Sequence, residues 1–293
     1  MKKRIISIMV ILTVLLSSSY SFAETATSTN ENDYVPSYEE LIQDKDVIIL
    51  NEVDIIQDLQ KQTDQTLKQD GFNEEEIKKI RNYNPQKYIK QLSKLSRIEL
   101  ENKKFSTQEI NLIQSIKDTP TENIGDIVTY GVGAKVALTL KKVSYKKGKA
   151  STTAKIKGTW AWNRSPSTQN YDILAFSWGK QFNTVSKSSS GIAYCKDIHG
   201  NVKKKTTIKV WDKSPNAGCA FKFKIRGGAY GNVSSGYATV TMKHTEKAIN
   251  SVETRVTYGH TAISVSPSVS WNGISVTFKK SMMNMGHKNL TLK

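Results

Sequence analysis

The chain is short of almost everything that marks an enzyme, a polytopic membrane protein or a disulfide-built scaffold. Two cysteines and 6 prolines in 293 residues exclude a cysteine-rich framework, a zinc cluster built on paired CxxC motifs, and a proline-rich or collagenous polymer. After the run from Ile5 to Leu16 no stretch is apolar over the ~20 residues that a membrane-spanning helix needs. No glycine-rich phosphate loop, metal-ligand spacing or nucleophile–base motif stands out, so neither cofactor nor metal is expected and catalysis has no candidate above chance.

Two further scarcities divide the chain. Gly71 is the only glycine before Thr119, whereas the other 16 follow it, and all five Trp lie in the second part. Acidic residues are scarce in that same part. Glu24 to Asp118 holds 19 acidic and 13 basic residues, and Thr119 to Lys293 holds 7 acidic and 27 basic. The net charge of +17 therefore sits in the second part and points to a polyanionic partner. The shift predicts two domains, 36–118 and 127–293, joined by a linker at 119–126 that contains Pro120 and Gly125.

What is present at the start is an export signal. Met1-Lys2-Lys3-Arg4 precedes the apolar run, and Ser21-Phe22-Ala23 supplies small residues for cleavage. The expectation is a secreted, extracellular protein beginning at Glu24, with a disordered stretch to residue 35 and no transmembrane span. In an oxidising compartment Cys195 and Cys219 are expected to pair and to close a loop of ~24 residues, stabilising the fold by about 3 kcal/mol.

The acidic part matches itself at an offset of 33: Ile56 with Ile89, Leu59 with Leu92, Leu67 with Leu100, Phe72 with Phe105, Ile77 with Ile110 and Ile80 with Ile113. Breaks near Gly71 and Lys104, followed by capping boxes at Asn73/Glu76 and Ser106/Glu109, predict two tandem αα-hairpins forming an all-α domain. The module reads as a partner-binding or pro-domain, or as a plain helical bundle.

In the basic part the period changes to two. Val128, Tyr130, Val132, Val136, Leu138 and Leu140 alternate with other residues, and some ten such segments predict an antiparallel β-sandwich, with a barrel as the second choice. The whole chain is thus α+β in two separate domains. Asn272-Gly273 predicts a type I′ hairpin in which Trp271 faces Ile274 and Val269 faces Val276. Its apolar face, backed by Ser and Thr, also resembles the pattern of a membrane-inserting hairpin, although Pro267 interrupts one short arm.

Candidate binding residues come from interleaved charge. Phe221-Lys222-Phe223-Lys224-Ile225-Arg226 puts Lys222, Lys224 and Arg226 on one strand face; Lys203, Lys205 and Lys209 on a neighbouring strand and the run Lys146-Lys147-Gly148-Lys149 extend the stripe. Trp160 and Trp162 share a strand face, where exposure makes them a stacking platform and burial makes them core. The pairs Asp197/His199 and His244/Glu246, the trio Met283, Met285 and His287, and the scattered carboxylates carry no recognisable chemistry. No helix-turn-helix, zinc-finger or RNP pattern is present, so nucleic acid is not the expected partner. The expected function is binding of an anionic extracellular or cell-envelope polymer or lipid surface, with the acidic half contacting the basic half within the chain. A masked membrane-active toxin or antimicrobial factor is the alternative, and an extracellular hydrolase comes third.

Overall fold

Long strands with inward-facing apolar residues at every second position organise the protein. In a computed structural model, residues 34–125, 131–166, 171–179, 182–197, 201–225, 232–261, 268–279 and 282–293 are described. Eleven strands form one antiparallel sheet on which seven α-helices pack among the described residues, and the strands β11 (Ser268–Asn272) and β12 (Ser275–Lys279) make a separate hairpin, completing the numbering at β13.

The sheet runs β1 (Ile48–Asn51), β2 (Lys135–Lys147), β3 (Thr152–Trp162), β9 (Asn232–His244), β6 (Ser190–Lys196), β7 (Val202–Ser214), β8 (Gly218–Lys224), β4 (Tyr171–Trp178), β10 (Val252–Thr261), β13 (Met282–Leu292). The short β5 (Asn183–Thr184) pairs with β9 beside this path. The expected sandwich is therefore corrected. β7 pairs with β6 through its first part and with β8 through its last residues, so it carries the ladder continuously from one side to the other. At the far end β13 lies against β2 and β1, which nearly closes the sheet into a barrel. The inward residues, among them Leu138, Ile156, Trp160, Phe176, Phe221, Val240 and Tyr258, are buried together in one core.

The expected all-α domain is corrected as well. The helices are α1 (Tyr38–Leu41), α2 (Glu52–Lys61), α3 (Asp64–Gln69), α4 (Glu74–Asn82), α5 (Pro85–Leu92), α6 (Arg97–Asn102) and α7 (Thr107–Ser115). Each 33-residue stretch thus holds three short helices in place of a helical hairpin. Both capping boxes are formed, Asn73 with Glu76 and Ser106 with Glu109, and Gly71 and Lys104 take positive φ at the breaks. All twelve matched apolar positions are buried, but not in one helical core. Ile56, Leu59, Leu67, Phe72, Ile77 and Ile80 join the core of the sheet, while Ile89, Leu92, Leu100, Phe105, Ile110 and Ile113 form a second cluster with Ile124 and Val132. Amphipathic periodicity says that a helix buries one face, and it does not say whether the covering surface is a helix or a sheet. The acidic part even contributes the edge strand β1, in register with β2 from Ile48↔Leu138 to Asn51↔Lys135. Val35–Lys293 accordingly makes one compact unit.

The disulfide is overturned. Cys195 and Cys219 are both buried and unbonded. They lie on β6 and β8 with β7 between them, opposite Lys204 and Lys213, nine positions apart along that strand. At ~3.3 Å per residue this offset is about 30 Å, far beyond the ~7 Å at which two cysteines can be bridged. Burial pushes the Cys219 thiol up to about 12, with Thr184 pulling it weakly the other way, and burial raises Cys195 too. Both are inert core thiols.

The β11–β12 hairpin forms two positions out of the expected register: Asn272 pairs with Ser275, Trp271 with Val276 and Val269 with Phe278. The loop is Gly273-Ile274, with Gly273 at φ 59 in the first loop position, the placement a type II′ turn requires. A two-position shift keeps every side chain on its face. The apolar face packs on Ile173, Ala175 and Ala220, covering the outside of β4 and β8.

Candidate functional site

The surface that emerges lies on the outer face of five adjacent strands. Along β3 the even positions Ala154, Ile156 and Trp160 are core, so Thr153, Lys155, Lys157 and Thr159 face outward. Register carries this alternation across the sheet. Lys141 of β2, Lys157 of β3, Thr239 of β9, Ser190 of β6 and Lys209 of β7 stand in one row. Ser144, Lys155 and Thr241 make the next row, and Lys146, Thr153 and Lys243 the one after it. With strands ~4.8 Å apart, the row from Lys141 to Lys209 is about 19 Å long.

Amines and hydroxyls make up these three rows, and their strands hold a single carboxylate. β2, β3, β6 and β9 contain no Asp or Glu, and β7 contains only Asp212. Lys141 and Lys157 are directly opposite, a like-charge cross-strand pair that weakens the ladder. Two local contacts offset this: Lys141 is ion-paired with Asp44, and the Lys157 amine lies 4.0 Å from the centroid of the Tyr237 ring. Lys155, Lys209 and Lys243 have no ion pair among the described residues. One end of the face is covered, by Val35 on Tyr194 and Tyr237 and by Leu41 on Ala137 and Ala161. The end with Lys146, Lys155, Lys209 and Lys243 is open.

The sequence-derived candidates fall in several places. Lys209 belongs to the row just described, and Lys205 is exposed four positions along, opposite Tyr194. Lys203 is exposed and ion-paired with Asp197 at 3.0 Å. Lys222 and Lys224 do face outward from β8, the strand beyond β7 from that row, beside Tyr171 and Trp211. Arg226 and His199 lie outside the described residues, as do Pro267 and the start of the alternation at Val128 and Tyr130. Trp160 and Trp162 are core: Trp160 stacks on Phe223 with centroids 4.4 Å apart, and neither ring offers a platform to solvent. Met283 and Met285 are buried while His287 is exposed, so the three do not converge.

Sequence reasoning missed Lys141, Lys155, Lys157 and Lys243, because a row perpendicular to the strands has no trace in any single segment. It also missed a buried polar cluster. Asp172 on β4 and His260 on β10 are direct cross-strand partners inside the barrel, with His260 Nδ1 2.7 Å from Asp172 Oδ1. Tyr258 donates its hydroxyl to the other Asp172 oxygen, and Trp162 Nε1 donates to Tyr258 at 2.9 Å. Glu52, at the start of α2, lies 3.5 Å from His260 Nε2. Burial alone would lower the imidazole pKa; the Asp172 and Glu52 carboxylates outweigh it and raise it to about 10. The Tyr258 hydroxyl is driven well above its ordinary range by burial and by Asp172. The ring is a buried cation held between two carboxylates. With His260 and Asp172 fully buried and Glu52 nearly so, this cluster ties α2 to the barrel and meets no ligand from solvent.

No family model matches the chain, and no curated protein matches it. Among solved structures it is similar to AvmM, described as catalysing macrocyclization in alchivemycin A biosynthesis, at 8% identity and a TM-score of 0.26 over 53% of this chain and 88% of that one. It is similar to a pore-forming protein at 11% identity and a TM-score of 0.19, over 54% and 78% of the two chains. The collagen-binding domain of the Erysipelothrix rhusiopathiae surface protein RspB matches at 6% identity and a TM-score of 0.27, over 55% and 65%. Similarities this distant carry no argument about function, which has to come from the surface itself.

Proposed function

We propose that the protein is an exported, non-catalytic binder of an anionic extracellular or cell-envelope polymer, held on the outer face of β2, β3, β9, β6 and β7. The observation that carries this reading is the in-register row Lys141–Lys157–Thr239–Ser190–Lys209, flanked by Lys155 and Lys243 on strands without a carboxylate. A regular sheet holds the amines at fixed intervals, so a polymer meets a preorganised row of charge, and the Ser and Thr hydroxyls between the amines can donate to phosphate, sulfate or carboxylate oxygens. A regular outer strand face favours a long chain over a small molecule, for which pockets are the rule.

A lipid surface is the weaker choice of anion. Membrane association needs an apolar element to bury, and the apolar face of the β11–β12 hairpin is already packed on β4 and β8. The test is retention on an immobilised sulfated polysaccharide. Lys155→Gln, Lys157→Gln and Lys209→Gln together keep most of the aliphatic stems and remove three charges, and elution should move to clearly lower salt. Unchanged elution would refute the assignment of the face, and release of dye from anionic vesicles would favour the membrane-active alternative.

A further inference from the structure

The outer face of β8 carries a second arrangement that charge alone does not explain. β7 has a bulge where it meets β8: Val210 pairs with Phe221 and Asp212 with Ala220, so Trp211 is the extra residue. Bulges re-aim side chains, and this one turns the indole outward, 37% exposed, beside Lys222. The Lys222 amine is 4.6 Å from the Trp211 ring centroid and 5.0 Å from that of Tyr171 on β4, and the Lys224 amine is 5.3 Å from Tyr171. Two exposed or half-exposed aromatic rings and two ammonium groups thus share one patch on three neighbouring strands. Neither ammonium has an ion pair or hydrogen bond among the described residues.

We infer that Trp211, Tyr171, Lys222 and Lys224 form a subsite for an anionic sugar ring. The C–H face of a pyranose stacks on an exposed indole, and cations held against aromatic rings remain free to donate N–H groups outward to an acidic substituent of that ring. A plain inorganic polyanion uses the lysines and gains nothing from Trp211; a neutral sugar uses the indole and leaves both cations unanswered. Only an acidic saccharide meets all four groups. Lys209 of the basic row is two residues from Trp211 on the same strand, so the subsite extends the proposed polymer-binding face, rests on that reading, and narrows its polymer to an acidic polysaccharide.

The test measures binding of three probes by titration calorimetry: an oligogalacturonate hexamer, the neutral maltohexaose and a polyphosphate of similar length. The expected result is that the hexamer binds more tightly than the other two. Trp211→Ala should weaken the hexamer about tenfold and leave polyphosphate unchanged, and Lys222→Met should weaken it comparably. Near-UV circular dichroism checks that the partly exposed Trp211 can be removed without loss of fold. Acrylamide quenching gives an independent readout, since Trp160, Trp162 and Trp178 are buried and Trp271 is partly covered in the hairpin: the hexamer should protect the fluorescence of the intact protein and give clearly less protection in Trp211→Phe, where the most exposed indole is gone. Polyphosphate binding equal to or tighter than the hexamer, with no effect of Trp211→Ala, would overturn the subsite and leave the basic row standing. Failure of every anionic probe would overturn both.

Discussion

Replacing His260 tests the buried end of the structure. Its imidazolium lies between Asp172 and Glu52, all three out of contact with water. His260→Gln keeps hydrogen-bonding atoms but removes the charge. Breaking a buried ion pair by deleting one partner costs about 3–5 kcal/mol, a large part of the ~5–15 kcal/mol by which a domain is ordinarily stable. The pH dependence gives a sharper signature. The imidazole pKa rises from an ordinary 6.5 to about 10 on folding, so the folded protein holds a proton that the unfolded chain releases. Its contribution is complete below pH 6.5 and is lost as the pH rises toward 10. Through that window stability should fall by about 1.4 kcal/mol per pH unit from this group. Urea unfolding of the wild type and of His260→Gln at pH 6.5, 7.5 and 8.5 isolates the effect, because the difference between the two proteins cancels other titrating groups. The gap should be widest at pH 6.5 and narrow by about 2 kcal/mol at pH 8.5. A gap that stays constant would mean that His260 is neutral in the folded state, and the ion-pair account of this cluster would be wrong.

Arg164 joins the helices to the sheet by an ion pair with Glu109, a hydrogen bond to the Val132 carbonyl and a position 4.2 Å from the Phe105 ring centroid. Arg164→Met should cost about 3 kcal/mol in chemical unfolding, against less than 1 kcal/mol for an exposed pair such as Lys61–Asp58. Both cysteines should be alkylated in denaturant without reductant and resist alkylation in the folded protein, as read by intact mass. Gly236 has the Trp160 ring 2.3 Å from where a Cβ would lie, so Gly236→Ala should destabilise the barrel by about 1–3 kcal/mol through overpacking.

These sites differ in how much of them a linear reading reveals. The alternation through Val136, Leu138 and Leu140 reports an inward face, and all three residues are core. Local signals likewise reveal the capping boxes and a hairpin near Gly273, although the register slips by two because Gly273-Ile274, not Asn272-Gly273, occupies the loop. What stays hidden is lateral. Asp172 and His260 are 88 positions apart and meet only because β4 pairs with β10. Lys141, Lys157 and Lys209 become a row only through the order β2-β3-β9-β6-β7, in which two of the four neighbouring pairs are not consecutive in the chain. The same order separates Cys195 from Cys219, whose spacing in sequence suggested a bond. The apolar stripe of α2 gave no indication that the barrel, and not another helix, would cover Ile56 and Leu59.

The central claim, that the basic row binds a polyanion, is tested most directly by the salt dependence of affinity for one polymer. Each phosphate neutralised by a lysine contributes about 0.7–0.9 to the slope of log K against log salt through counterion release. Measured by fluorescence anisotropy with labelled polyphosphate, the triple variant Lys155→Gln, Lys157→Gln, Lys209→Gln should bind more weakly than wild type and show a slope shallower by about 2–3. Equal slopes in the two proteins would place the bound polymer elsewhere and contradict the account.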